Sequence, residues 1–363
     1  FGLLIVSLLL WEAWQKDYVR PQQAIENAAV EEIAADLPGI AATTVENQQE
    51  LPTIPSTENL ASLPEIAQDL AAVSANKIHI KTDLMDLYID TKGGDIRDLA
   101  LLKYPVESKT PDVPVQFLAD TATNFFVTQS GLRSNTSAPT HYDNYVAEQS
   151  DYELSDGDDT LLVPLHWQTE DGLRITKTYH FKRDSYLIDV EYQIENSTGE
   201  AFSAYPYAQF NRVRPEEDSG FIYTYTGAVF SSEGHEYEKV DFDDLDDAAF
   251  TRSATDGWTA MIQHYFVAAL IPEASEQEIG FYGKAINDRN YTAGLRMPAI
   301  NVQNGDSQQA KYSMYLGPKE HKRLEVIKEN LDLTVDYGVL TIISQPLFTV
   351  MEWIHKLTNN WGW

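Results

Sequence analysis

The sequence predicts a mainly β protein whose strands form a large antiparallel sandwich or barrel. Apolar and polar side chains alternate over residues 173–181 and 186–195, which is the period of a strand with one buried face. Residues 169–172 and 182–185 are rich in turn-forming types and separate these runs from their neighbours. Many strands joined by short turns, with few helices, favour an antiparallel architecture.

The β region is predicted to form one domain over residues 77–336. A helix with Leu324, Ile327 and Leu331 on one side is predicted over residues 318–330, with Pro318 in its first turn. Strands are predicted over residues 78–91, 124–129, 161–167, 173–181, 186–195, 201–212, 258–271, 278–283, 297–302 and 311–316.

The composition excludes several classes of protein. Of 363 residues, 26 are Lys or Arg and 56 are Asp or Glu, so the formal net charge is -30. Binding to nucleic acid is excluded because it needs a basic surface that replaces the counterions of the phosphates. The chain has no cysteine, which excludes a disulfide framework, a thiolate metal site and a cysteine nucleophile.

Residues 1–20 are predicted to be a transmembrane anchor that is truncated at its start. The run is uncharged up to its first tryptophan, and about 14 helical residues span about 21 Å, short of the roughly 30 Å hydrocarbon core. A cleaved signal peptide and a buried helix are the alternatives. No small-x-small cleavage site follows, and all faces are apolar, so an anchor is favoured. The anchor residues are Leu3, Leu4, Ile5, Val6, Leu8, Leu9, Leu10, Trp11 and Trp14.

Residues 21–76 are predicted to be an acidic flexible linker. They include nine carboxylates and no Lys or Arg. Such a segment buries too little apolar surface to offset its chain entropy, and its like charges repel each other. The linker would hold the next domain away from the membrane.

Residues 337–363 are predicted to carry an amphipathic helix that lies in the membrane interface. A helix start at residues 344–346 is followed by apolar residues at the spacing of one helix face and by tryptophans. A helix packed on the sandwich is the alternative. The predicted interface residues are Leu347, Phe348, Val350, Met351, Trp353, Ile354, Leu357, Trp361 and Trp363.

Few side chains suggest chemistry. The acidic clusters at residues 156–159 and 241–247 lack the glycine and distal glutamate of an EF-hand loop, so they are interpreted as solvated loops. His235 lies beside carboxylates but lacks a second ligand pair for a metal. No Walker, dinucleotide or G-x-S-x-G motif occurs, and no catalytic residue, metal or cofactor is predicted.

His180 is the one histidine with a candidate acid–base partner. It is expected to face Asp189 and Glu191 across two strands. Exposed polar residues on the solvated face of a sheet explain this pattern at least as well.

Segments along the whole chain resemble the YidC-type membrane protein insertases of Gram-negative bacteria. The segments near the C-terminus resemble the junction region of that family, and the opening segment is similar to the end of its first transmembrane helix. The linker is the variable part. The segments are LLLWEAW (8–14), GGD (93–95), YEKVDFD (237–243), GWTAMIQHYF (257–266), LDLTVDYG (331–338), ISQPLF (343–348) and WIH (353–355).

The resemblance implies an architecture and a location. A transmembrane helix would precede a periplasmic β-supersandwich similar to mutarotase-like folds, with a helix packed against it and an interfacial helix after it. The bulk of the chain would lie in the periplasm, at the bacterial inner membrane. The insertase core of the family would follow residue 363, so this chain would not insert proteins by itself and would not be an enzyme.

The resemblance also implies partners. These are the Sec translocon with accessory subunits of the SecD and SecF type, nascent inner-membrane proteins and the lipid bilayer. The accessory-subunit contact is placed on the edge segment 202–245. The candidate contact residues are Phe202, Tyr205, Tyr207, Phe230, Tyr237 and Phe242.

Two other functions remain open from the sequence. One is a membrane-anchored carbohydrate-binding or mutarotase-like protein, in which strand tyrosines such as Tyr205, Tyr207, Tyr223 and Tyr225 stack on sugars. A mutarotase would also need a histidine and a carboxylate that meet in a cleft, and the sequence does not set out such a pair. The other is an anchored scaffold without an insertase role.

Overall fold

Strands make up most of the structure, a computed structural model that describes residues 77–335 apart from 108, 216–224 and 288. The strands in these residues are β1 (Lys77–Lys81), β2 (Met85–Asp90), β3 (Asp95–Pro105), β4 (Pro114–Leu118), β5 (Phe126–Ser134), β6 (Val146–Ala147), β7 (Asp151–Glu153), β8 (Thr160–Gln168), β9 (Leu173–Lys182), β10 (Leu187–Asn196), β11 (Phe202–Val213), β12 (Gly227–Ser232), β13 (His235–Val240), β14 (Phe250–Ala254), β15 (Gly257–Gln263), β16 (Phe266–Pro272), β17 (Ile279–Ala285), β18 (Asn290–Arg296), β19 (Ile300–Val302) and β20 (Ser307–Pro318). The helices are α1 (Phe242–Asp247) and α2 (His321–Ile327), and a 3₁₀ helix follows at Leu331–Thr334.

The described strands form three sheets. One has the order β4-β3-β2-β1-β7, and a nine-stranded sheet has the order β13-β12-β15-β16-β20-β10-β9-β8-β6. The third has the order β14-β17-β18-β11-β19, with β5 also paired to β11. The pairing of β1 with β7 is parallel, and the other strand pairings are antiparallel. The predicted mainly antiparallel β class is therefore confirmed.

One hydrophobic core joins the three sheets. Strand β10 shows why the sequence folds this way, because Ile188, Val190, Tyr192 and Ile194 are buried while the residues between them are partly exposed. Burying each large apolar side chain contributes about 1.5–3 kcal/mol. The alternation that predicted this strand thus also stabilises it.

Two of the predicted strands are each two strands in the structure. Residues 78–91 divide into β1 and β2 because the Thr82 hydroxyl accepts hydrogen bonds from the Leu84 and Met85 amides, at 3.2 and 3.0 Å, and turns the chain. Residues 258–271 divide into β15 and β16 at Tyr265, whose φ of 71° lies in the left-handed region. Neither turn contains a glycine or a proline, so the usual sequence signal of a turn is missing at both places.

Helix α1 corrects the interpretation of residues 241–247 as a loop. The Asp241 side chain accepts a hydrogen bond from the Asp244 amide at 3.0 Å, and the Asp244 side chain accepts one from the Asp241 amide at 3.1 Å. This capping box satisfies two amides at the helix start. Phe242 and Leu245 then bury the inner face, so the acidic run is one amphipathic turn with its carboxylates outward.

Helix α2 is shorter than the helix predicted over residues 318–330. Pro318 ends β20 instead of opening the helix, which begins at His321. Leu324 and Leu331 are both fully buried, as their spacing predicted. The apolar face was therefore predicted correctly, but its second part belongs to the 3₁₀ helix.

Gly257 occupies a position at which we expect a side chain to be costly. Its φ is +145°, and an added Cβ would lie 2.1 Å from the Ser231 carbonyl oxygen. Gly305 also has a positive φ, +87°, but open space around it. We expect Gly305→Ala to cost about 1–2 kcal/mol of unfolding free energy and Gly257→Ala about 1–3 kcal/mol more, measured by urea unfolding. Equal losses would show that the close approach at Gly257 relaxes without cost.

Candidate interaction surface

The residues predicted for partner contact are mostly in the core. Side chains buried to this extent have no surface to offer a partner, so the prediction of direct contact is corrected for four of the six. These four are Phe202 (5% exposed), Tyr207 (0%), Phe230 (1%) and Phe242 (6%).

The other two, Tyr205 and Tyr237, are half-buried. The Tyr237 ring lies 6.4 Å from the Trp258 ring, centroid to centroid. The Tyr205 ring lies under the guanidinium of Arg296, with 5.2 Å between the Arg296 Cζ and the ring centroid. Tyr205 therefore borders a charged side chain at the surface of the third sheet.

Buried aromatic contacts position the strands on which this surface is built. Phe230 of β12 stacks on Phe250 of β14, with ring centroids 4.0 Å apart. Phe242 of α1 packs on Tyr291 of β18 at 4.5 Å. The first contact packs β12 of the nine-stranded sheet against the edge strand β14 of the third sheet, and the second packs α1 on β18.

Ion pairs reinforce the same corner. Arg252 of β14 pairs with Glu238 of β13. Arg214 donates hydrogen bonds to Asp243 at 2.9 Å and to Asp246 at 2.7 Å, and both carboxylates belong to α1. These pairs are partly exposed, so each contributes little to stability. The first connects β14 to β13, and the other two connect Arg214 to α1.

A groove of about 380 Å³ runs along β14 and β17 at this corner. Thr251 and Ser253 lie opposite Tyr282 and Gly280 in the strand register, so these four residues share one face of the sheet. The remaining lining comes from their neighbours. The full lining consists of residues 249–253 and 280–284 and of Arg296.

The charged side chains that line the groove are all cations, although the chain as a whole is acidic. Its lining contains Arg252, Lys284 and Arg296 and no carboxylate, whereas the formal net charge of the chain is -30. The charge of Arg252 is matched by Glu238. Lys284 and Arg296 are the other two cations of the lining.

Gly280 and Tyr205 position the guanidinium of Arg296. A Cβ on Gly280 would lie 3.3 Å from an Arg296 guanidinium nitrogen, so the guanidinium occupies the space above this glycine. Tyr205 borders it on another side. The guanidinium of Arg296 is therefore packed against two neighbours on the sheet.

A polar chain across the sheet fixes the floor of the groove. The Tyr282 hydroxyl donates to Gln209 Oε1 at 2.7 Å, and Gln209 Nε2 donates to Gln129 Oε1 at 2.9 Å. Gly294 is paired with Gln209 on one side and with Tyr282 on the other in the strand register. A Cβ on Gly294 would come within 2.7 Å of the Tyr282 hydroxyl. Burial raises the pKa of Tyr282 well above its usual range, so the hydroxyl remains a donor at physiological pH.

A second polar feature, which we name the Lys177 cluster, lies in the core. It comprises Lys177, Asp95 and the rings of Tyr145, Tyr179 and Tyr192. Lys177 and Asp95 are both fully buried, with 3.8 Å between Lys177 Nζ and Asp95 Oδ1. The Lys177 ammonium lies 5.3–5.8 Å from the three ring centroids, distances at which cation–π attraction acts.

The GGD segment supplies the remaining partners of Lys177. Its Nζ donates to the Gly93 carbonyl at 3.0 Å and to the Gly94 carbonyl at 2.8 Å. Both glycines have positive φ, 76° and 60°. The segment is therefore shaped to present two carbonyls to a buried cation that joins the five-stranded sheet to the nine-stranded one.

Burial dominates the titration of this pair. It lowers the pKa of Lys177 to about 8, although the carboxylate of Asp95 opposes this change. Burial likewise raises the pKa of Asp95 above its usual range, and Lys177 opposes the rise. Each partner thus reduces, but does not cancel, the cost of removing the other from water.

The lowered pKa of Lys177 predicts a pH dependence. Between about pH 8 and the ordinary lysine value of 10.5 the unfolded chain holds a proton that the folded chain has lost, so stability rises with pH. Buried tyrosines such as Tyr179, whose pKa is raised well above 10.0, act in the opposite direction above about pH 10. We expect the unfolding free energy of the wild type to rise relative to that of Lys177→Met between pH 8 and about 9.5. A constant difference over this range would contradict the assignment.

The position of Lys177 in its strand is a sequence signal for a buried charge. In β9 the residue lies in phase with the buried Ile175 and Tyr179, so a lysine occupies the apolar side of the alternation. A charged residue at such a position needs a buried partner. The segment 93–95 provides that partner, which no spacing rule in the sequence connects to Lys177.

The predicted facing of His180 and the β10 carboxylates is confirmed geometrically. His180 lies opposite Asp189 in the register, and its Nε2 is 3.9 Å from Glu191. Lysines already pair with both carboxylates, Lys182 with Asp189 at 2.7 Å and Lys311 with Glu191 at 3.0 Å. These side chains are partly exposed on the face of a sheet, whereas acid–base catalysis needs a pair within reach of a bound substrate.

The remaining sequence predictions fall partly outside the described residues. The anchor, the linker and the interfacial helix, at residues 1–20, 21–76 and 337–363, lie outside them. Within the described part of the chain, no helix is long and apolar enough to cross a membrane. The same part of the chain contains no group of three or more His, Cys, Asp or Glu residues arranged to hold a metal ion.

The fold and the groove define a class: a large, mainly antiparallel β-sandwich domain with a charged surface groove. A family model described as the YidC periplasmic domain matches residues 77–350. The chain is 40% identical to a membrane protein insertase YidC from Nitrosococcus oceani, over 100% of this chain and 65% of that protein. It is 39% identical to one from Methylococcus capsulatus, over 98% of this chain and 63% of that protein. The chain belongs to the YidC family and carries its periplasmic domain.

The chain spans a little under two thirds of the length of these relatives. Among solved structures, a galactose mutarotase related enzyme from Lactobacillus acidophilus is similar, with 9% identity and a TM-score of 0.41 over 66% of this chain and 97% of that chain. At these values the similarity says nothing about a ligand or an activity.

Proposed function

We propose that this chain is the periplasmic part of a membrane protein insertase that helps inner-membrane proteins to insert and fold, alone or with the Sec translocon. The observation that carries the proposal is the match of the YidC periplasmic domain over residues 77–350. The bulk of the chain would lie in the periplasm, attached to the inner membrane by residues 1–20 and by the interfacial helix in residues 337–363.

The contribution of this chain would be binding, without catalysis. Its partners would be the translocon, its SecD- and SecF-type accessory subunits, nascent inner-membrane proteins and the bilayer. The corner formed by β13, β14 and α1 supports this proposal because β13 and the start of α1 lie in the segment 202–245 and exposed charged side chains lie on both. With the phenylalanines of this corner in the core, the contact would rest on its exposed polar and charged residues.

The carbohydrate alternative has no structural observation in its favour. Two of the His–carboxylate pairs, His79 with Asp86 and His166 with Glu148, are partly exposed to solvent. A mutarotase needs such a pair inside a cleft.

Co-purification from membranes tests the proposal. The full-length protein is expected to recover translocon subunits, detected by immunoblot, and a variant that lacks residues 77–335 but keeps the anchor and linker is expected to lose the accessory subunits. Glu238→Gln, which breaks the ion pair with Arg252 at the corner, should fall between the two. Equal recovery from the deletion variant would contradict the proposed contact.

A further inference from the structure

One end of the sheets carries exposed apolar side chains on neighbouring elements. We name it the Tyr265 end and define it by Tyr265 (70% exposed), Val106 (59%) and Val113 (52%). Single exposed apolar residues are common on any protein surface, whereas a group of them on adjacent elements marks a contact site. Tyr265 lies in the turn between β15 and β16, and the valines lie in the hairpin of β3 and β4.

Tyr104 connects these elements to each other and to α2. Its ring lies 5.6 Å from the Phe266 ring, centroid to centroid, and its hydroxyl donates to Glu320 at 2.5 Å. Phe266 follows Tyr265 in the chain, and the Tyr265 carbonyl accepts a hydrogen bond from the Lys319 amide at 2.9 Å. The end of β3, the turn between β15 and β16 and the start of α2 therefore meet at one place.

The β3–β4 hairpin carries its two valines past this meeting point. Val106 lies two residues after Tyr104, which is about 7 Å further along the hairpin. The Val106 amide donates to the Val113 carbonyl at 2.9 Å, so the two valines are opposite each other. Pro105 and Pro114 are paired beside them in the register. The hairpin therefore presents an apolar tip next to the turn that carries the exposed tyrosine.

Tyr265 is an unfavourable residue for the turn that it occupies. His264 and Tyr265 form the turn between the paired residues Gln263 and Phe266. The φ of Tyr265 is 71°, a value that favours glycine and is unfavourable for a bulky side chain. An exposed residue that is held in such a conformation points to a role outside the fold.

The two rings of this turn have the chemistry of a membrane interface. The centroids of the His264 and Tyr265 rings are 3.5 Å apart. Burial and the charge of Lys319 lower the pKa of His264, so its ring is neutral at physiological pH. Tyrosine, with an apolar ring and a polar hydroxyl, is enriched at headgroup level. The exposed Glu107 and Lys109 of the hairpin suit headgroup depth and oppose deeper insertion.

The course of the chain keeps this end close to the predicted interfacial helix. The 3₁₀ helix returns to the start of α2, because an Asp332 carboxylate oxygen lies 3.5 Å from His321 Nε2. The described chain therefore ends, at Val335, near the Tyr265 end. The eight residues 336–343 that precede the predicted helix reach at most about 29 Å. A folded domain of about 260 residues is about 45 Å across, so this tether is shorter than the domain.

We propose that the Tyr265 end lies on the lipid bilayer at headgroup level, with Tyr265, Val106 and Val113 in contact with lipid. The inference rests on the proposed function for the interfacial helix in residues 337–363 that tethers the domain. It adds the surface of the folded domain that meets the membrane. A contact there gives the domain one orientation on the bilayer instead of free rotation on its tether.

Quenching of single fluorescent labels by spin-labelled lipids tests the contact. The 363-residue chain has no cysteine, so Val106→Cys, Val146→Cys and Val350→Cys each carry one label. The chain is bound to vesicles of phosphatidylethanolamine and phosphatidylglycerol with spin labels at headgroup level. Val146 is the matched control because it is 69% exposed on β6, five strands from β16 and so about 24 Å away. Val350 reports on the predicted interfacial helix.

We expect the label at Val106 to be quenched as strongly as the label at Val350, and the label at Val146 to keep its fluorescence. Equal quenching at Val106 and Val146 would overturn the inference. Quenching at Val350 without quenching at Val106 would also overturn it and leave the proposed attachment intact. Quenching at Val106 alone would support the surface and contradict the interfacial helix, and no quenching at either would contradict both.

Tyr265→Gly separates a lipid contact from a role in the fold. Glycine adopts a φ of 71° readily, so we expect the thermal unfolding midpoint to stay the same or rise while the label at Val106 loses quenching. Asn330→Gly is the matched control, because Asn330 has a φ of 64° and no apolar side chain to lose, and it should leave quenching unchanged. A lower midpoint for Tyr265→Gly with unchanged quenching would assign Tyr265 to the fold and overturn its role in the contact.

Discussion

Replacing Lys177 with methionine is expected to lower the unfolding free energy by about 3–5 kcal/mol. The substitution leaves the fully buried Asp95 without its cation and removes the donor that satisfies the Gly93 and Gly94 carbonyls. A buried charge without a partner lowers the unfolding free energy by several kcal/mol. The packing of the methionine side chain offsets only part of this loss. Urea unfolding followed by tyrosine and tryptophan fluorescence measures the loss.

Lys182→Met is the matched control for this substitution. Lys182 is on the same strand, and its side chain is 52% exposed and paired with Asp189 at 2.7 Å. Exposed pairs contribute about 0–1 kcal/mol, so a small effect is expected. The double variant Asp95→Asn with Lys177→Met should lose less than the sum of the two single losses. Equal losses at Lys177 and Lys182 would show that the Lys177 cluster is not a buried ionic contact.

Replacing Trp258 with alanine is the second change for which we expect a large effect, a loss of about 3–5 kcal/mol. The indole is fully buried, and its Nε1 donates to the Glu329 carbonyl at 3.0 Å. This bond ties the segment after α2 to the nine-stranded sheet. Truncation leaves a cavity and a carbonyl without its donor.

Trp258→Phe separates the two contributions. It keeps most of the apolar volume and loses the indole N–H, so we expect a smaller loss of about 1–3 kcal/mol. Amide hydrogen exchange should rise in α2 for both variants, because local opening there no longer breaks the Trp258 contact. A loss confined to overall stability, with unchanged exchange in α2, would contradict an anchoring contact at this site.

Local alternation is the part of the fold that the sequence could predict. In β10 a polar residue follows each buried one, so the burial pattern and the strand follow from the sequence. In β15 and β16 nearly all residues are buried, so the alternation disappears and the turn at Tyr265 gives no signal. Strands that are buried on both faces hide their boundaries.

The candidate site was harder to predict because residue type does not define the face on which a side chain lies. The family resemblance places partner contacts at Phe230 and Phe242 of an edge segment, and both side chains are in the core. The cations of the groove are brought together by strand pairing. Arg296 and Gly280 are opposite each other only because β17 pairs with β18 in this register, which is a long-range property of the fold.

Complementation is the measurement that tests the central claim most directly. In a Gram-negative strain depleted of its own insertase, the full-length protein encoded by this gene is expected to restore insertion of an inner-membrane client. Insertion is measured as protection of the client from protease added to spheroplasts, with the host insertase as the positive control. Failure to restore insertion by a protein that is expressed and membrane-bound at the level of that control would contradict assignment of this chain to a working insertase.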